Sequence, residues 1–171
     1  MSIDDGSALP APPATERLLG LRVVLILAAL FEAYDGGSTL SAITSGPAQH
    51  TTQGLVGVLN MAQIVSHPFL AASALGFALI GRVRDAIIAL AAILAMNWLS
   101  DVPSLALHGF EFDSLLMISH VVAYPLMAAC GIALALRGER LGLATAMVIL
   151  PTLFSVAGIT AFAAAVSIHG F

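Results

Sequence analysis

Asn60, Gln63 and His67 stand at i, i+3 and i+7, a spacing that stacks all three on one face of a helix. His120 and Tyr124 are four residues apart, as are Asn97 and Asp101, so each pair also shares a helix face. Glu32 adds a carboxylate to another apolar run. Imidazole, carboxylate, carboxamide and phenol groups can pass protons, orient a small head group or ligate a metal. Where such groups lie within apolar helices they are costly, and they normally face a bundle interior or a cavity. His67, His120, Glu32, Asn60, Gln63, Asn97 and Tyr124 are therefore the candidate ligand-binding residues.

The elements that carry them are apolar helices. The chain has 171 residues, is 59% hydrophobic and only 9% charged, and has a mean hydropathy of +0.99. A soluble domain carries about 25% charged residues, and a disordered chain is poor in hydrophobic ones. Both are excluded, which leaves an all-α integral membrane protein. Crossing a bilayer takes about 20 apolar residues. Five stretches qualify, at about 18–37, 54–80, 85–100, 114–136 and 141–167. Pro68, Pro125 and Pro151 fall inside three of them, and neighbouring helices can satisfy the carbonyls they free.

The arginines orient this bundle. The chain has no lysine, and its six arginines fall in three places: Arg17 and Arg22, Arg82 and Arg84, and Arg137 and Arg140. In a five-span chain all three places lie on one side, which the positive-inside rule makes cytoplasmic. The other side carries Glu32, Asp35, Asp101, Glu111 and Asp113 and no arginine. The expected topology is N-terminus inside and C-terminus outside, in the inner membrane of a bacterium. The first run, with Arg22 near its start, reads as an uncleaved span, because residues 1–22 hold three acids and no cleavage site of small residues follows.

Residues 1–16, rich in proline, read as a flexible cytoplasmic tail ahead of one transmembrane domain, 17–171. Residues Gly36–Gln53 read as an outer loop, and Asp101–Asp113 as an amphipathic segment lying along the interface. Asp85 has Arg82 and Arg84 beside it for a local ion pair, and Thr152 and Ser155 are placed to satisfy carbonyls near Pro151. Alanine-rich stretches such as Ala86–Ala95 allow close helix packing in lipid.

Measured from the expected outer helix ends, Glu32 lies about 8 Å deep, Asn60 about 9 Å, Gln63 about 14 Å, His67 about 20 Å, Asn97 about 6 Å, His120 about 9 Å and Tyr124 about 15 Å. The picture is a polar funnel open to the outside, with His67 near its floor. Haem b could be held by His67 and His120, but their depths differ by about 11 Å, which disfavours a shared iron. A quinone head group needs only a His or Tyr donor and an apolar slot. A metal set of Glu32, His120, Asp101 and His108 lacks any ligand motif. The single Cys130 excludes an internal disulfide and a multi-cysteine metal site, and the absence of lysine excludes a Schiff base. A net charge of -4 offers no basic surface for nucleic acid. The expected function is a small ligand-binding or redox- and quinone-associated membrane subunit. The alternatives are a structural or accessory subunit of a larger membrane complex, or a proton- or ion-coupled transporter. The lipid bilayer is the expected partner, with other membrane subunits or further copies of the chain beside it.

Overall fold

The computed structural model describes residues 14–45, 54–109 and 119–169. They form helices α1 (Ala14–Ser45), α2 (Leu55–Leu79) and α3 (Val83–His108), then a π-helical turn (Ser119–Ala123) that runs into α4 (Tyr124–Arg137), and finally α5 (Leu141–His169). No strand occurs among the described residues. Three helical stretches, Leu55–Leu79, Val83–Pro103 and Leu141–Ile168, are long and apolar enough to cross a membrane, and Val121–Arg137 is a shorter apolar helix.

Each helix packs on the next in sequence, and α5 returns against α1 and α3. The core is built largely from small residues. On α2 the buried positions are His67, Ala71, Ala74 and Ala78, and on α4 they are Ala128, Gly131 and Ala135. Leu25, Ala28 and Ala29 of α1, Ile87, Leu90 and Leu94 of α3, and Ala144, Val148 and Ile149 of α5 complete it. Side chains this short let backbones approach, so the helices can be held together by close van der Waals contact. Large apolar residues such as Leu27, Phe69, Phe154 and Phe162 point outward.

The helices outrun three expected boundaries. α1 does not end near Gly37 but continues to Ser45. Two consecutive glycines weaken a helix by about 1 kcal/mol each. Here packing overrides that cost, because Gly36 is buried against α2. The polar residues beyond it are accommodated within the helix: Ser38 donates to the Asp35 carbonyl at 2.8 Å, and Thr44 to those of Leu40 and Ser41 at 3.1 Å. α3 likewise passes through Pro103 and stops only at Gly109, whose φ of 80° suits glycine and whose N–H bonds the Leu105 carbonyl at 2.9 Å. The segment expected to lie along the interface from Asp101 is thus helical to His108. α1 begins at Ala14, inside the expected tail, and residues 1–13, 46–53 and 110–118 lie outside the described residues.

One end of the bundle gathers the arginines. Arg22 of α1 donates through Nε to the Ala78 carbonyl at 2.9 Å and through Nη2 to that of Leu79, so it caps the last turn of α2. Helix C-terminal carbonyls lack intrahelical partners and carry partial negative charge, which a guanidinium suits. Arg82 pairs with Asp85 at 2.6 Å and lies over the Phe77 ring. Arg84 packs its guanidinium on Gly138, in the turn that holds Arg137 and Arg140.

Candidate functional site

The buried stripes of three helices each place a polar residue at the bundle centre. On α1 the register that buries Leu25 and Ala28/Ala29 passes through Glu32 to Gly36. On α2 it passes from Ala78, Ala74 and Ala71 to His67. On α5 it runs from Ala144 and Val148 to Thr152. Steps of three and four along each helix keep these residues on one face, so packing the small-residue faces together brings the polar ones together too.

They meet around the Glu32 carboxylate. Nε2 of His67 lies 2.9 Å from Oε2, and the Thr152 hydroxyl donates to Oε1 at 2.6 Å. The side chains of His67 and Glu32 are only 7% and 14% exposed. The charge of Glu32 also acts on the phenol of Tyr124, which is half-buried at the start of α4. One helical turn from His67 on α2, Gln63 donates through Nε2 to Oδ1 of Asn97 on α3 at 2.8 Å. Ser66 donates to the Gln63 carbonyl at 3.2 Å.

Of the seven candidate residues, Glu32 and His67 are in direct contact, Gln63 and Asn97 form the adjoining pair, and Tyr124 is within electrostatic reach. Asn60 is exposed on α2. The side chains of His108, His120 and His169 lie outside the described residues, as do Glu111 and Asp113. No group of three or more His, Cys, Asp or Glu able to hold a metal occurs among the described residues.

Two readings change. Glu32 and His67 were expected at unequal depths, yet they are level. The cause is the length of α1: Glu32 is about 20 Å along the axis from Ser45, and His67 is about 18 Å from Leu55. Thr152 was expected to satisfy a backbone carbonyl, a role that only Ser155 takes, bonding Pro151 at 3.2 Å. Thr152 instead completes the carboxylate site. Its signal was the spacing Thr145, Val148, Thr152, which keeps it on the buried face of α5.

A carboxylate facing an imidazole can share one proton, so that the pair is neutral overall either as an ion pair or as two neutral groups. A second proton makes it cationic, and loss of the shared one makes it anionic. The Thr152 hydroxyl donates to the other oxygen of the same carboxylate, so both Glu32 oxygens have a partner. With Nε2 of His67 turned to Glu32, ligation of a haem iron through that nitrogen would require the pair to break. No protein-family model, curated protein or solved structure matches the chain.

Proposed function

We propose that this chain is a five-span protein of the bacterial cytoplasmic membrane that binds a proton at an intramembrane carboxylate–imidazole centre and serves proton-coupled chemistry. The observation that carries this reading is the buried contact between Glu32 and His67 at 2.9 Å. Ionisable residues at membrane depth are expensive, and when paired they mark proton paths or ligand sites. A merely structural tie between helices could be made by neutral groups at lower cost, as Gln63 and Asn97 do one turn away.

The arginine-bearing turns and Arg22 share one end of the bundle, which in this reading is the cytoplasmic end. Asn60, the Gln63–Asn97 pair and the Glu32–His67 centre then descend from the outer surface along one face of α2. Toward the cytoplasm the same face carries only Ala71, Ala74 and Ala78. The centre is thus polar toward the outside and sealed by small apolar residues toward the inside. Such a one-sided site fits exchange of a proton with the outer aqueous phase and its delivery to a ligand, of which a quinone head group beside the half-buried Tyr124 is the leading class.

Infrared difference spectra of the purified protein in lipid nanodiscs test this. Acidification should produce a carboxyl band that is absent in Glu32→Gln and displaced in His67→Phe. A wild-type spectrum that does not change with pH at the Glu32 band would overturn the reading.

A further inference from the structure

We infer that Gly36 is a positioning residue for the centre: its missing side chain is what allows the His67 ring to lie against α1 with Nε2 on Glu32. The inference rests on the reading of Glu32 and His67 as the functional pair. A Cβ built on Gly36 would stand 3.0 Å from Cδ2 and 3.1 Å from Cγ of His67, and 3.1 Å from the backbone nitrogen of Pro68, whereas ordinary contact begins at 3.4 Å. Gly36 is buried, and it follows Glu32 by one helical turn. One face of α1 therefore supplies both the carboxylate that faces Nε2 and the bare backbone against which the adjoining Cδ2–Cγ edge of the ring rests.

The contact with Pro68 is with backbone, so a change of rotamer cannot relieve it. A methyl group at position 36 must therefore move α1 away from α2 by a few tenths of an ångström, whether or not the imidazole also turns, and this lengthens the Glu32–His67 contact. The requirement is local. A Cβ on Gly37 or Gly20 would meet nothing within 4 Å. Gly37 therefore serves as a control in which the same substitution adds helix propensity without touching the ring.

The test uses the full chain in nanodiscs and the infrared band of the Glu32 carboxylate, assigned as the band lost in Glu32→Gln. Gly36→Ala should move that band at least half of the way from its wild-type position to its position in His67→Phe, and Gly37→Ala should leave it in place. A Gly36→Ala band coincident with wild type overturns the inference. If Gly36→Ala does not fold, the same change is made in a His67→Ala chain. Recovery of a folded protein there supports the clash with the ring, and continued failure assigns Gly36 to helix packing alone and overturns the inference. A Glu32 band that ignores pH but still moves in Gly36→Ala would overturn the proton-binding reading while leaving the positioning role intact.

Discussion

Thr152 donates its hydroxyl to Oε1 of Glu32 at 2.6 Å, across a sequence separation of 120 residues, and so fastens α5 to α1 at the centre of the bundle. The other oxygen of the same carboxylate faces His67. Both sides of Glu32 are therefore engaged, and neither partner can be removed without leaving a buried acceptor unsatisfied. A hydrogen bond to a charged group contributes about 1.5–3 kcal/mol. Thr152→Val keeps the shape and removes the donor, so it should destabilise the protein by about that amount. Thr152→Ser should retain most of the stability. Thermal unfolding in detergent distinguishes them, and equal melting temperatures for the two variants would show that the bond contributes nothing.

Glu32 and His67 should also be coupled energetically. Removing one member leaves the other as a buried polar group without its partner, whereas removing both leaves neither. Glu32→Ala and His67→Ala should each destabilise, and the double variant should lose less than their sum by about 1–2 kcal/mol. Strict additivity in an unfolding cycle would mean that the 2.9 Å contact is not an interaction in the folded protein.

The polar face of α2 is legible in the sequence, because Gln63 and His67 sit at helical spacing in an apolar run, and both make cross-helix contacts. Glu32 and Asn97 were legible as the polar groups of neighbouring runs. Their pairing was not, since it depends on where each helix ends. Gly36-Gly37-Ser38 has loop composition, and only burial of Gly36 against His67 and Pro68 keeps α1 helical there. That burial is a tertiary contact, invisible to local propensity. Thr152 was hidden for a related reason. A threonine beside a proline has a local use for its hydroxyl, and only the packing of α5 on α1 offers it a carboxylate instead.

Trp98 answers a defect that Pro125 creates. The indole Nε1 donates to the Val121 carbonyl at 3.2 Å, and Pro125, four residues beyond Val121, has no N–H to offer it. The helix passes this point as the π-helical turn Ser119–Ala123. Trp98→Phe should cost about 1–3 kcal/mol by leaving that carbonyl unpaired in an apolar setting. In a Pro125→Ala background the restored N–H can serve Val121, so the same substitution should cost distinctly less. Equal penalties in the two backgrounds would show that Trp98 acts by packing rather than by its hydrogen bond.

Membrane insertion and its orientation are open to a direct test. Cys130 is the single cysteine, so Cys130→Ser clears the background for labelling. Ser45 and Glu139 are both exposed, at the end of α1 and in the turn between α4 and α5. In intact cells a membrane-impermeant maleimide should label Ser45→Cys and should reach Glu139→Cys only after permeabilisation. The reverse pattern would invert the topology and place the polar face of the site toward the cytoplasm. Labelling of both from outside would contradict an odd number of spans between α1 and the α4–α5 turn.

Thr145 offers the opposite case to Thr152. It lies two turns earlier on the buried face of α5, is 3% exposed, and its hydroxyl has no hydrogen-bond partner among the described residues. A buried hydroxyl without a partner costs about 1–3 kcal/mol. Thr145→Val exchanges the hydroxyl for a methyl of similar size, so it should stabilise the bundle by about 1 kcal/mol while Thr152→Val destabilises it. The contrast separates two threonines on one helix face by the single feature in which they differ, a carboxylate within reach. A loss of stability in Thr145→Val, measured by the same thermal unfolding, would show that this hydroxyl is hydrogen-bonded in the folded protein and that the arginine-bearing half of the bundle is more polar than its alanine lining implies.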